Sequence, residues 1–184
     1  EKIQGCAVKT DDGQSLTIGQ LVGEHATLLL FVRHFGCIGC SENVGLLSVR
    51  FDELNKLGVR ICIIGCGPHM FIQGFKERHN LLFSPAEIYS DDSLASHQAA
   101  GLMYSIWGGF RPKALYEMSR AFVNGHVAGD NQGDIKQQAG AIFVDSEAKV
   151  RLYHRNTSLG DHVSGSKIVD VAMAAWLANN PEMM

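Results

Sequence analysis

The stretch "LLLFVRHFGCIGCSEN", residues 28–43, runs from an apolar segment of strand length into two cysteines and the start of a helical pattern. Leu28 to Arg33 reads as a strand buried on both faces, as in the interior of a parallel sheet. From Ile38 onward, Val44, Leu47, Phe51, Leu54 and Leu57 recur at three- and four-residue intervals until Gly58. That spacing predicts one amphipathic helix with a glycine stop.

The same alternation continues downstream. Val59 to Ile64 is β-branched and apolar and ends at Gly65, and Pro68 suits the first position of a helix carrying Phe71 and Phe75. A third strand is expected over Ala86 to Tyr89, followed by a helix capped around Asp91 to Ser93 and continuing to Ala100. Strands alternating with helices predict parallel strands joined by helical crossovers, with helices on both faces of the sheet. Near the end, "AIFVDSEAKVRLYH" reads as a hairpin, Ala141 to Val144 and Lys149 to His154, around a turn at Asp145 to Ala148. A final helix is expected from about Ser166 to Leu177. Before the first strand only a short lead with a turn at Asp11-Asp12-Gly13 is visible.

With 184 residues, 46% hydrophobic and 19% charged, at a net charge of −3, the chain has the composition of one globular domain. The charge balance offers no basic face for nucleic acid. No apolar run approaches the ~20 residues that a membrane-spanning helix needs. Residues 104–136 form an insert in which Pro112 opens an expected helix, with Leu115, Met118 and Phe122 on one side and Gly125 closing it. Trp107, Phe110, Met118 and Phe122 are read first as core; a lid or a subunit contact is the alternative, which leaves a homodimer open.

Five cysteines, at 6, 37, 40, 62 and 66, lack the even, dense spacing of a secreted disulfide scaffold. A reducing compartment, and so a cytoplasmic location, is the expectation. It rests on the thiols alone, because the sequence opens at Glu1 and a signal peptide removed before that point would leave no trace.

Three readings compete for Cys37 and Cys40: a working dithiol, half of a zinc site, and ordinary buried thiols. A cysteine leaving a buried strand and entering a helix meets unpaired N–H groups and the positive end of the helix dipole, and both favour thiolate. Arg33 and His34 are expected to add positive charge. Residues three apart on a helical turn lie ~5–6 Å apart, within the ~4.4–6.8 Å that a disulfide spans between Cα atoms. Zinc would require Cys62 and Cys66 as further ligands, and Cys62 lies inside a β run where burial is expected. Cys6 and Cys62 are read as inert. Cys66 is an auxiliary thiol or a semi-buried cysteine in a glycine turn, and "GCGPHMFIQG" lacks the glycine spacing of a phosphate loop. No cofactor and no metal are expected.

"LFVRHFGCIGCSE", "GVRICIIGCG", "EIYSDDSLASHQAAGL", "QQAGAIFVDSEAKVRLYH" and "GDHV" together resemble the peroxiredoxin-like proteins of the alkyl hydroperoxide reductase/thiol-specific antioxidant (AhpC/TSA) family, in the thioredoxin-like superfamily. The resemblance implies a thioredoxin-like α/β fold, a central mixed sheet between helical layers, with the pair at the carboxyl end of a central strand. It also implies thiol-dependent reduction of hydroperoxides or small disulfides, with electrons from an external thiol of thioredoxin or glutathione type. Arg33 stands where the family's signature proline would be if Cys40 aligns with the peroxidatic cysteine, and Cys37 then takes the threonine position. Gln137 or Gln138 replaces the peroxide-activating arginine, and Ala139-Gly140 occupies the place of a thioredoxin cis-proline. Alignment favours Cys40 as the attacking thiol. Thioredoxin-type logic favours Cys37, as the more exposed member, and Cys37 is the reading adopted, with Cys40 resolving.

His34 is a proton donor or a packed loop residue, and Gln138 orients a substrate oxygen or simply enters a strand. Asp161 and His162 are read as a loop approaching the last helix. A redox-responsive binding module, in which the Cys37–Cys40 bond alters partner affinity, is the alternative to an enzyme.

Overall fold

The computed structural model describes residues 2–23, 25–105, 116, 119–120, 122–123, 133–158 and 160–183. Its framework is a seven-stranded mixed sheet: β1 (Ala7–Lys9), β2 (Ser15–Thr17), β3 (Thr27–His34), β4 (Arg60–Cys66), β5 (Ala86–Asp91), β6 (Gly140–Val144) and β7 (Val150–Arg155), in the order β2-β1-β5-β4-β3-β6-β7. The strands β3, β4 and β5 are parallel, and the flanking pairs are antiparallel. The helices are α1 (Ile18–Val22), α2 (Ile38–Ser48), α3 (Phe51–Lys56), α4 (Ile72–Arg78), α5 (Ala95–Ala99) and α6 (Gly165–Asn179).

Side chains alternate across β3, so its two faces feed two cores. Leu28, Leu30 and Val32 join residues of α2, α3, α4 and α6 on one face. Leu29 and Phe31 join Cys62, Ile64, Tyr89 and residues of α1 on the other. All eight residues of β3 are buried, as the unbroken apolar run Leu28–Val32 at its centre requires. Each fully buried Leu, Ile or Phe contributes ~1.5–3 kcal/mol over exposure, which makes this strand the axis of the fold. The arrangement is the thioredoxin-like three-layer α/β/α fold expected from the sequence.

Several local expectations are corrected. The lead folds into a β1–β2 hairpin and α1, whose N-cap Thr17 and Gln20 form a reciprocal capping box. Three-residue strands are too short to show a period. The single helix expected over residues 38–57 is two, α2 and α3. Asp52 and Glu53 occupy the first turn of α3, where the new helix dipole favours acids. Pro68 precedes a short 3-10 turn, His69–Phe71, and α4 begins only at Ile72. In the insert, Tyr116, Ser119, Arg120, Phe122 and Val123 are helical, whereas Trp107, Phe110, Pro112, Leu115, Met118 and Gly125 lie outside the described residues. Phe122 is exposed, which removes it from the expected core. Among the described residues no helix is long and apolar enough to cross a membrane.

Gly65 does not stop β4 but lies inside it, paired with Val32 and Ser90. A Cβ there would stand 2.6 Å from Phe35 Cε1, and that ring is fully buried and packs edge-on against Phe75. The Phe35 backbone is fixed as well, because its carbonyl accepts from Arg78 Nη1 at 3.0 Å. Gly65→Ala is therefore expected to destabilise the protein by about 1–3 kcal/mol through overpacking, read as a lower urea midpoint with an unchanged slope.

Candidate active site

The carboxyl end of β3 is irregular. Its pairing with β4 shifts between Val32 and His34, which frees the Arg33 N–H from the ladder. That N–H donates instead to Cys40 Sγ at 3.2 Å. The chain then turns through Phe35 and Gly36, and Cys37 takes the N-cap position of α2 with extended backbone. Its sulfur stands where a serine or aspartate oxygen usually caps a helix, and it accepts the Cys40 N–H at 3.4 Å. Residues Ile38 to Val44 are all buried, so the first two turns of α2 are covered on every side rather than amphipathic.

The two thiols are polarised in opposite directions. A hydrogen bond from the Cys40 thiol lowers Cys37 to about 6, against the opposing effect of burial and with help from Arg33 and the N–H groups of Cys40 and Gly39. Burial, and then the adjacent Cys37 sulfur, push Cys40 well above the ordinary thiol range. One proton shared between two sulfurs thus ionises the capping one. Exposure does not distinguish the two as the expectation of a more exposed Cys37 requires, since both are buried, at 4% for Cys37 and 2% for Cys40.

Arg33 is buried, and its side chain is held by a strap formed by residues 133–137. Its Nε donates to Gln137 O at 3.0 Å and its Nη2 to Ile135 O. His34 does not supply the second cation expected from the sequence. Burial, with Arg33 beside it, lowers its pKa to about 4, so it is neutral near pH 7, and its Nδ1 has no hydrogen-bond partner among the described residues.

Cys66 ends β4 beside His34, on the same sheet edge as the pair. Its sulfur accepts the Asp134 N–H at 3.2 Å, and burial pushes its pKa up to about 12. It is thus a protonated thiol beneath the strap and a poor nucleophile. Gly133 is required there, since a Cβ would lie 2.5 Å from Cys66 O and 2.8 Å from both Cys66 Sγ and His34 Cβ. The Gln138 amide donates to Ser105 O at 3.0 Å and Lys136 O at 3.3 Å, so it braces the strap. Asp161 Oδ2 accepts from the Thr157 N–H and hydroxyl, each at 2.8 Å, which makes it a loop brace ahead of α6.

Cys62 lies in the core on the opposite face of the sheet from Cys37 and Cys40, so these pairs cannot close around one ion. Among the described residues no group of three or more His, Cys, Asp or Glu side chains is placed to hold a metal. Sequence pattern does not single out the strap residues Gly133 and Asp134 or the buried His97; Asp91 is expected only as a helix cap, which it is, and not as a partner of His97. The only signal for the strap was a Gly-Asp step inside an apparently featureless loop.

Comparison with known proteins agrees with this frame. The AhpC/TSA antioxidant enzyme family matches residues 46–158, a span that begins after both cysteines. Peroxiredoxin-like 2C of Takifugu rubripes is 29% identical over 94% of this chain and 80% of its own length. A prostamide/prostaglandin F synthase of Xenopus laevis is 31% identical over 85% of this chain and 79% of its own. A cysteine-to-serine mutant of the peroxiredoxin 6 of Arenicola marina superposes with a TM-score of 0.70 at 12% identity, covering 97% of this chain and 73% of that one. With more than half of its length matched and the sheet order in place, the chain belongs to the AhpC/TSA antioxidant enzyme family.

Proposed function

We propose that the protein is a thiol-dependent oxidoreductase that reduces hydroperoxides or small disulfides through a Cys37–Cys40 dithiol/disulfide cycle. The observation that carries this reading is the placement of the pair: Cys37 Sγ caps α2 and accepts the Cys40 N–H at 3.4 Å, while Cys40 Sγ, one turn on, accepts the Arg33 N–H at 3.2 Å, an arrangement that favours the charged form of Cys37. The Cys37 thiolate attacks the terminal oxygen of a hydroperoxide, the O–O bond breaks, and the departing alkoxide takes up a proton to leave as alcohol. Cys37 is then a sulfenic acid. Cys40 attacks that sulfur, its thiol proton leaves with the hydroxyl as water, and a disulfide closes. With a disulfide substrate the same two attacks release two thiols. An external dithiol or two glutathione-type thiols then restore the reduced pair.

Arg33 supports this cycle electrostatically, since its charge favours ionisation of both sulfurs. Gln138 and Cys66 support the geometry of the strap rather than the chemistry. The five free cysteines fit a reducing, cytoplasmic setting. The alternative, a redox-responsive binding module, draws support from the closure of the site, because oxidation of so enclosed a pair has to displace its neighbours. It predicts turnover orders of magnitude below a dedicated peroxidase, together with a partner released or captured on oxidation.

Turnover of hydrogen peroxide, an organic hydroperoxide and a small disulfide tests the cycle. Cys37→Ser is expected to lower it by at least about 100-fold, the scale of losing an activated nucleophile, whereas Cys40→Ser leaves a single turnover that stops at the sulfenic acid or mixed disulfide, identified by mass. Equal turnover in both variants and the parent would remove the dithiol from the mechanism.

The pH profile gives an independent check. Only thiolate reacts with iodoacetamide, so the Cys37 rate is expected to climb about tenfold per pH unit below its pKa and level off above about 6. An unperturbed thiol keeps gaining until ~8.5. A plateau reached only near the latter value would contradict the polarised pair.

A further inference from the structure

Beneath the dithiol lies a carboxylate–imidazole pair that the cycle as written does not use. Asp91 ends β5, His97 sits in α5, and neither side chain has any exposed surface. Asp91 Oδ2 accepts from the Ser96 N–H at 2.9 Å, the Ser96 hydroxyl at 2.5 Å, the His97 N–H at 3.1 Å and His97 Nδ1 at 2.9 Å. These bonds cap α5, whose own N-cap residue, Leu94, is left-handed and offers no side-chain acceptor. Burial alone would raise the Asp91 carboxyl, yet the bonds from His97 and Ser96 hold it at about 2.

The other ring nitrogen, His97 Nε2, is 3.1 Å from Val32 O. A carbonyl oxygen and an ionised carboxylate can both only accept, so Nε2 and Nδ1 each carry a hydrogen and the ring stands beside Asp91 as an imidazolium. Val32 C=O and Arg33 N–H belong to one peptide unit, and that N–H is the donor to Cys40 Sγ. A continuous chain therefore runs from carboxylate to imidazolium to peptide to sulfur. It passes through the one irregular step of the β3–β4 ladder, where the peptide is free to turn toward the cysteine. The imidazole is fixed from the side as well, by Phe31 packed edge-on at 5.1 Å.

We propose that the Asp91–His97 pair is a positioning device for the resolving sulfur: by donating to Val32 O, His97 holds and polarises the Val32–Arg33 peptide so that its N–H stabilises negative charge on Cys40. Hydrogen bonds in series strengthen one another in a low-dielectric interior, by ~10–30% per bond. The inference rests on the dithiol reading. In that cycle Cys40 sheds its proton when it attacks the Cys37 adduct, and it is the harder of the two thiols to ionise, so a dedicated donor matters most there. The reduced pair carries a negative charge shared through one proton, the disulfide carries none, and the donor therefore favours the reduced pair over the oxidised one.

The exchange dithiol + GSSG ⇌ disulfide + 2 GSH, followed on the full chain, tests the device. His97→Leu removes the donor and is expected to shift the equilibrium about tenfold toward the disulfide, a potential ~30 mV more negative. It is also expected to slow the resolving step about tenfold, while the first attack, measured in a Cys40→Ser background, keeps its rate. His97→Gln, which places an amide N–H where Nε2 stood, is expected to recover most of both losses. Should His97→Leu fail to fold, Asp91→Asn is expected to shift the equilibrium about threefold in the same direction. An unmoved equilibrium in a folded His97→Leu or Asp91→Asn protein, or both steps slowing equally, would overturn the positioning role. A parent chain that forms no Cys37–Cys40 bond would overturn the dithiol reading and this inference together.

Discussion

The site depends on a sulfur acting as a helix cap. In α2 the Cys37 sulfur does what a hydroxyl or carboxylate oxygen does in most helices, accepting an N–H of the first turn. A thiol is a weak acceptor and a thiolate a strong one, so the helix is better capped when Cys37 is ionised. The helix end thereby favours the charged sulfur, and the charged sulfur in turn completes the helix. Everything packed around residues 38–44 holds that turn in place, because the segment is buried on all sides and has no exposed face on which to fray.

The strap over the strand ends follows from the same requirement. A buried guanidinium has to be hydrogen-bonded, and Arg33 finds its partners in the carbonyls of Ile135 and Gln137. Those carbonyls are available only because the strap runs close over Cys66 and His34, and that approach requires Gly133. Tyr104 adds a further tie, its hydroxyl donating to Asp134 at 2.7 Å. One cation thus does two things: it lowers the cost of a thiolate nearby and anchors the segment that closes the sheet edge.

The parts of this arrangement legible in the sequence are those governed by short-range pattern. The apolar run of β3, the β-branched run of β4, the hairpin of β6 and β7 and the strand-to-helix placement of Cys37 all follow from periodicity or from turn chemistry. The N-terminal strands escaped because three residues carry no period, and the break between α2 and α3 because a continuous stripe does not reveal where its axis bends. Gly65 was misread because glycine marks a turn and a tight packing site alike, and only the Phe35 ring decides between them. His34 was assigned a charge from residue type alone, whereas burial and the neighbouring Arg33 keep it neutral. The strap and the bond from His97 to Val32 join residues separated by 65 to 104 positions, and local pattern does not register such contacts.

The departures from the peroxiredoxin signature also have a physical counterpart. Where the family places an arginine ahead of the late strand, Gln137 and Gln138 turn their amide N–H groups to the carbonyls of Met103, Ser105 and Lys136 and hold the chain. The positive charge enters instead from the end of β3, on Arg33, whose backbone and side chain serve different ends of the same site. Its N–H faces Cys40, and its guanidinium faces the strap. A movement of the strap that unpairs the guanidinium changes the field at Cys37 directly, while the N–H to Cys40 stays fixed by the strand beneath it. Ionisation of the first sulfur is therefore coupled to the state of the strap, and the geometry at the second is coupled to the sheet. In the proposed cycle, the backbone contact that positions Cys40 thus belongs to the sheet, while the charge that Arg33 lends the pair depends on the strap.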